Sequence, residues 1–279
     1  MRASRATFWR ILFLVFSFGI AGFSAIIFSR HPSTSRHWAP DHALMPEMVF
    51  ADSLVRIANF RNFRYRSESD VDSRYETRTI HLNRLNSVAL VLTPFSKAWR
   101  GPAHGFVTFG FSDSSFVSIS IEARREVGEA YGVLRGLGRN YELIYVVGDE
   151  RDLIGKRAAL GEFDVYLYPI RTTAARAQAV FVEMLRRADQ IRSVPEFYHT
   201  ATNNCTSNLV RHVNQVVPAR IPVGINLLLP GYADEVATEL GLIDTSLPVE
   251  QARSRYRINA IARRYLDSAN FSLRIRDAW

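Results

Sequence analysis

Residues 106–121 read FVTFGFSDSSFVSISI. Apolar residues alternate with small or polar ones on both sides of Ser112-Asp113-Ser114-Ser115. Alternation with a period of two is typical of half-buried strands, and a short polar segment between two such runs indicates a turn. The stretch therefore predicts an antiparallel β-hairpin.

More strands and helices are predicted on both sides of this hairpin. Strands are predicted at residues 53–60, 61–66, 77–82, 87–93, 141–147 and 165–170. Helices are predicted at residues 174–191, from Cys205 to just before Pro218 and, rich in arginine, at 249–267, with shorter helices or turns within 125–138 and 149–159. Together they predict one α+β domain, an antiparallel sheet with helices packed on it.

The N-terminus carries a long apolar run. Arg2, Arg5 and Arg10 precede an uncharged segment from Ile11 to Ser29, which is close to the roughly 20 residues that cross a bilayer. It exceeds the roughly 7–15 residues of a signal-peptide core, and no small-x-small cleavage site follows it. The arginines favour a cytoplasmic N-terminus.

This run divides the chain into three parts. Residues 1–30 are predicted to be a cytoplasmic N-terminus and a single transmembrane anchor in the inner membrane, residues 31–48 a linker, and residues 49–279 a periplasmic domain. A cleaved secretory signal is the alternative interpretation, and it would export the same domain.

Charge and composition exclude several classes of function. The net charge of +8 favours an anionic neighbour such as a phospholipid surface, but the basic residues accompany no nucleic-acid motif. Nucleic acid is therefore not an expected partner. A single cysteine excludes an internal disulfide and a cysteine-cluster zinc site, and the histidines have no metal-ligand spacing. We expect neither a metal nor a cofactor.

That cysteine, Cys205, stands where a polar turn becomes a helix. Asn203 or Asn204 is available to cap the helix, and Thr206 and Ser207 occupy its first turn. A thiol at this position feels the positive end of the helix dipole, which favours the thiolate. The sequence predicts a nucleophile here, with an inert buried cysteine as the alternative.

Two residues of the hairpin region could act together with this thiol in catalysis. His104 is a candidate base that would take the thiol proton and hold it in an ion pair. On the following strand Ser118, Ser120 and Glu122 share one face, and Glu122 is the carboxylate that could orient the imidazole. The alternatives are an ordinary strand histidine and an exposed strand-end ion pair.

A dense mixed-charge stretch, residues 61–76, contains candidate substrate-binding residues. Arg61 and Arg64 could form a guanidinium cradle for a substrate phosphate or carboxylate. Surface ion pairs of little energetic value are the alternative. Asn204, beside the thiol, completes the predicted substrate-binding set.

With these residues in view, the chain resembles the family of the Lnb N-terminal periplasmic domain, whose namesake is a bacterial lipoprotein N-acyltransferase. The likeness covers nearly everything from Val49 onward. It rests on residues 59–70, 75–79, 104–111, 118–124, 141–147, 204–206, 229–234 and 271–276. The family in turn resembles a permuted papain-like thiol fold, as in NlpC/P60 hydrolases, where a strand histidine precedes an Asn-Cys turn that opens a helix.

The resemblance implies roles and an activity. Cys205 would be the nucleophile, His104 the base and Glu122 the orienting carboxylate of a membrane-anchored thiol acyltransferase that works through an acyl-thioester on phospholipid or lipoprotein substrates. A cell-envelope cysteine hydrolase and a non-catalytic binding protein are the alternatives. The namesake has more transmembrane helices after this domain, whereas this chain ends at Trp279, which leaves open another substrate or a membrane-protein partner.

Overall fold

The computed structural model describes residues 2–67, 70–217, 221–222, 229–277 and 279. Within them the strands are β1 (Glu47–Ala51), β2 (Leu54–Arg61), β3 (Arg64–Tyr65), β4 (Val71–Asp72), β5 (Tyr75–His81), β6 (Leu85–Pro94), β7 (Ala103–Phe111), β8 (Phe116–Arg124), β9 (Glu142–Gly148) and β10 (Tyr166–Pro169). The α-helices are α1 (Arg2–Phe28), α2 (Ala174–Ser193), α3 (Cys205–Val216), α4 (Ala233–Glu239), α5 (Val249–Tyr256), α6 (Asn259–Tyr265) and α7 (Phe271–Arg274). The predicted α+β class is confirmed.

The main sheet has the strand order β1-β2-β9-β8-β7-β6-β10, and β5 also pairs with β2. β7 and β8 pair antiparallel, with Val107 opposite Ile119, which confirms the predicted hairpin. β2 meets β9 in parallel at Arg61 and Gly148. A Cβ atom on Gly148 would lie 2.6 Å from the carbonyl oxygen of Arg61, so this crossing needs a glycine.

Helix packing explains why the central strands are apolar. Every residue of β9 is buried, as expected for a strand covered on both faces. Phe181 of α2 packs edge-to-face on Phe109, with ring centroids 4.9 Å apart. α3 lies across β7 and β8. The sheet and these two helices enclose the main core, and they carry the candidate site at the edge where β7 begins and β8 ends.

The structure confirms the short helices or turns predicted between the strands and corrects the prediction for the tail. Residues 125–138 form mostly irregular loop with a short 3-10 helix at Arg135–Leu137, and Arg151–Leu160 is a π-helix. The predicted tail helix is divided into α5 and α6, because the N–H of Ile258 donates a hydrogen bond to the carbonyl oxygen of Val165. A long-range backbone contact thus ends a helix that local propensity would continue.

The N-terminal region also differs. A helix forms over the apolar run as α1, yet among the described residues no helix has both the length and the apolar character needed to span a membrane. The predicted transmembrane anchor therefore lacks support from the structure.

Residues 31–48 are not a free linker. The chain pairs at Trp38 with Glu126, turns through a 3-10 helix at Pro40–His42 and buries His42 beneath the sheet edge. Arg124 donates hydrogen bonds to the carbonyl oxygens of His42 and Ala43, at 3.0 Å each. The segment is a packed part of the domain, held by contacts that its own sequence does not reveal.

Candidate active site

Cys205 is the first residue of α3, and its position follows from a local capping motif. Asn204 caps the helix with its Oδ1 atom, which accepts the N–H of Ser207 at 2.8 Å. Ser207 Oγ accepts the N–H of Asn204 at 2.9 Å in return. This reciprocal pair satisfies N–H groups that a helix start leaves free, and it holds the thiol in the first turn. The predicted helix start is confirmed.

β7 and β8 bring His104 and Glu122 side by side through a hydroxyl group. His104 Nε2 lies 2.7 Å from Ser120 Oγ, and that hydroxyl donates to Glu122 Oε1 at 2.6 Å. Because Ser120 gives its proton to the carboxylate, its oxygen accepts a proton from Nε2 of the imidazole. Nδ1 is then the basic nitrogen of His104, and among the described residues it has no hydrogen-bond partner.

The Glu122 carboxylate is held by two more side chains. Arg157 donates to Oε1 at 2.8 Å, and His42 Nε2 lies 3.1 Å from Oε2. The N–H of Arg125 donates to His42 Nδ1 at 3.0 Å, so Nε2 of His42 carries the proton that reaches Glu122. Burial works to raise the pKa of Glu122, but the charge of Arg157 and the hydrogen bond from His42 outweigh it and hold this pKa well below its usual range.

Burial favours the neutral forms of both the thiol and the imidazole. Burial, helped by the charge of Arg157 and opposed by Glu122, lowers the pKa of His104 to about 4. Burial also raises the pKa of the Cys205 thiol, although the nearby N–H groups of Gly105 and Thr206 act in the opposite direction. Desolvation thus opposes the helix dipole, which favours the thiolate, and disfavours an ion pair between the two groups before substrate binds.

Cys205, His104 and Glu122 line one cleft of about 200 Å³. Cys205 is 5% exposed at its base, and the ring of His104 stacks on Phe106. The sulfur lies near the N–H of Gly105, the residue that follows His104. The other lining residues include Phe95, Arg125, Tyr131, Arg157 and Tyr198. The fold thus gathers the three predicted catalytic residues, whose roles remain predictions.

The predicted substrate-binding residues lie elsewhere or have internal partners. Arg61 is buried and makes a two-pronged ion pair with Asp152, at 2.9 and 2.8 Å. Arg64 is partly exposed, 3.9 Å from Asp149. Neither arginine lines the cleft. The Asn204 amide donates to the carbonyl oxygen of Thr200, in addition to its capping bond. Their roles toward a substrate stay untested predictions.

Sequence reasoning missed three members of the site. Ser120 lies on the predicted strand face but belongs to no recognisable motif, Arg157 comes from the π-helix, and His42 lies in the predicted linker. A Pro-Asp-His turn signals a change of direction but not what it packs against, so no local signal could have found His42. Within the described part of the chain, no cluster of three or more His, Cys, Asp or Glu is placed to hold a metal ion.

The fold and the cleft define a class: a mixed α+β domain that places a thiol, an imidazole and a carboxylate together. The family model of the Lnb N-terminal periplasmic domain matches residues 72–231, which is more than half of the chain. The chain belongs to this family, and its matched region is a periplasmic, envelope-associated domain. The match contains Cys205, His104 and Glu122 but leaves α1 and His42 outside. No curated protein and no solved structure matches the chain.

Proposed function

We propose that the protein is a membrane-associated periplasmic thiol acyltransferase with Cys205 as nucleophile and His104 as base. One observation carries this proposal: Nε2 of His104 is hydrogen-bonded to the Ser120 hydroxyl, so the basic Nδ1 atom is available to accept the proton of the thiol in the same cleft. Glu122, fixed by Arg157 and His42, orients Ser120 and thereby the imidazole. We also propose that the domain is a permuted form of the papain-like fold of NlpC/P60 proteins, since its histidine strand precedes its cysteine helix.

The proposed reaction has two halves. In the first, His104 Nδ1 accepts the thiol proton while Sγ attacks the carbonyl carbon of a phospholipid ester. The ester C–O bond breaks, the leaving alcohol takes the proton from His104, and the acyl group stays on Cys205 as a thioester. N–H groups of the first turn of α3 stabilise the negative oxygen of the tetrahedral intermediate.

The second half transfers the acyl chain to an amine, such as the N-terminus of a lipoprotein. The amine attacks the thioester carbonyl as His104 accepts its proton. The C–S bond breaks, and the thiolate regains that proton. His104 is suited to both halves, because a neutral imidazole can accept a proton first from the thiol and later from the amine.

A large apolar cavity supports a lipidic substrate. It has a volume of about 400 Å³, within the range of small-molecule sites, and α2, α3 and α4 form much of its wall. Thr206 lines this cavity, and its Oγ1 atom also lies 3.7 Å from the Cys205 sulfur. We assign the cavity to an acyl chain attached to the reacting carbonyl. A polar peptidoglycan peptide would not fit a cavity with so apolar a wall.

Inner-membrane attachment through α1 belongs to the same proposal. Phe13, Phe16 and Phe18 of this helix leave most of their surface uncovered. Exposed aromatic groups of this number are typical of contact with lipid or with another protein. Attachment confines the enzyme to the surface that contains its substrates, and a membrane-protein partner could bind the same helix.

The test is acyl transfer from a phospholipid with a labelled acyl chain to a synthetic lipoprotein N-terminal peptide. We expect the wild type to label the peptide and to form a hydroxylamine-sensitive adduct of one acyl chain, with the Cys205→Ala variant inactive in both assays. An equally active Cys205→Ala protein contradicts the proposal. Release of free fatty acid with no labelled peptide assigns the alternative function, a cysteine hydrolase.

A further inference from the structure

Two loops beside the cleft carry exposed apolar side chains, which we call the apolar rim. Tyr131 and Phe95 line the cleft and also belong to this rim. Leu134 is 81% exposed, which is unusual for a side chain of its size. The rim consists of Phe95 and Trp99 of one loop, Val127, Tyr131, Val133, Leu134 and Leu137 of the other, and Phe163, whose ring centroid lies 6.5 Å from that of Phe95. Exposed large apolar side chains concentrated on two neighbouring loops are typical of an interaction surface.

The rim lies at one end of the central strands, which we call this edge of the sheet. β6 ends at Pro94, β7 begins at Ala103 and β8 ends at Arg124. Because Pro94 pairs with Ala103 and β7 with β8 in antiparallel register, the loops that contain Phe95 and Leu134 both leave this edge. The opposite edge, at the β7–β8 turn, carries the polar residues 112–115.

The end of α1 is fixed to the same loop. Arg30, just after α1, donates to Asn140 Oδ1 at 2.6 Å. Arg139 donates to the carbonyl oxygen of Phe28 at 3.4 Å and lies over the Phe28 ring, 4.7 Å from its centroid. The C-terminal end of α1, with the exposed Phe28, therefore meets the domain at the loop that also carries Leu134 and Leu137 of the rim.

We propose that the rim is a membrane-docking surface and that its occupant is the lipid bilayer. Two observations favour lipid over a protein partner. The rim adjoins the exposed Phe28 at the end of α1. The cations Arg30 and Arg139 at this junction, which have no carboxylate partner among the described residues, suit anionic headgroups. Docking places the cleft mouth against the headgroup layer, so an ester can reach Cys205 without crossing water.

This inference extends the proposed function but does not depend on thiol chemistry, so the two are tested separately. Cys205 is the single cysteine, and the full chain with Cys205→Ser accepts one fluorophore at a chosen position. Leu134→Cys carries the label at the rim. Leu273→Cys is the matched control, an exposed leucine of α7, whose neighbour Arg276 packs on Phe116 at the opposite sheet edge. Phe16→Cys reports on α1.

The labelled proteins are reconstituted in vesicles of phosphatidylethanolamine and phosphatidylglycerol and quenched by doxyl-labelled lipid or aqueous iodide. We expect the emission maximum of the Leu134 label to shift to shorter wavelength, and its emission to be quenched by doxyl lipid but not by iodide. The Leu273 label should show no shift and should be quenched by iodide but not by doxyl lipid. If the Leu134 label follows the Leu273 label while the Phe16 label is quenched by lipid, the docking surface is wrong. If all three labels follow iodide, membrane attachment through α1 is wrong as well.

Discussion

His42 Nε2 lies 3.1 Å from Oε2 of Glu122, although 80 positions separate the two residues. The histidine is buried and belongs to the segment between α1 and the family domain. The carboxylate that orients the proposed catalytic imidazole is thus held from outside the matched region. The N-terminal segment is part of the site.

The first prediction tests His42 as a positioning residue. His42→Ala removes one of the groups that fix Glu122, and we expect kcat for acyl transfer to fall about tenfold to a hundredfold with little change in KM, because a misplaced base is a poor proton acceptor. His42→Gln keeps a donor amide and should recover part of the loss. The control is His37→Ala, an exposed histidine of the same segment. Equal effects of His37→Ala and His42→Ala would remove the positioning role.

The second prediction concerns the Ser120 hydroxyl. Ser120→Ala frees Nε2 of His104, so we expect kcat to decrease about tenfold to a hundredfold. Ser118→Ala is the matched control on the same strand face, since the buried Ser118 hydroxyl has no hydrogen-bond partner in the described structure. Its removal should leave kcat unchanged and keep or slightly raise the free energy of unfolding. Equal rates for wild type and Ser120→Ala would show that His104 is oriented without this hydroxyl.

The third prediction is a pH dependence of stability. Burial lowers the pKa of His104 to about 4, against an ordinary value of 6.5. Between these values the unfolded chain binds a proton that the folded chain does not, so the contribution of His104 to stability is complete above pH 6.5 and is lost as the pH falls toward 4. His104→Gln should lack this part of the decrease. Imidazole NMR shifts give the pKa directly, and a titration near 6.5 contradicts the neutral, desolvated ring.

The fourth prediction concerns the Cys205 thiol. Since burial raises its pKa, the thiolate fraction at pH 7 should lie below that of a free cysteine, whose pKa is about 8.5. Iodoacetamide should therefore alkylate the resting protein more slowly than it alkylates glutathione, with a rate that rises at alkaline pH. A rate that is already maximal at pH 7 would indicate the thiolate–imidazolium pair instead.

The fifth prediction separates a buried ion pair from a surface pair. Arg61→Ala leaves the Asp152 carboxylate uncompensated in the core, which should reduce the free energy of unfolding by about 3–5 kcal/mol. Arg66→Ala, the control, breaks the exposed pair with Asp70 and should leave the urea midpoint unchanged, since water replaces such contacts. Similar midpoints for the two variants would mean that the Arg61–Asp152 pair does not stabilise the fold.

Local patterns in the sequence were sufficient for several features. The hairpin, the long helix α2 and the start of α3 follow from period-two alternation, helical spacing and the Asn204 cap, because each rule acts over a few neighbouring residues. For the same reason Cys205, His104 and Glu122 could be chosen as candidates. Where local rules compete with distant contacts they failed: the predicted tail helix is interrupted between Tyr256 and Asn259, and residues 31–48 pack instead of linking.

Only the tertiary structure decided how the candidates are arranged and charged. Ser120 between His104 and Glu122, Arg157 from the π-helix and His42 from the N-terminal segment come together because sheet register and loop packing place them within hydrogen-bond reach. The neutral state of Cys205 and His104 depends on removal from water, which is a property of the folded interior. Local spacing predicts which side chains can act, whereas burial and long-range contact determine their partners and their protons.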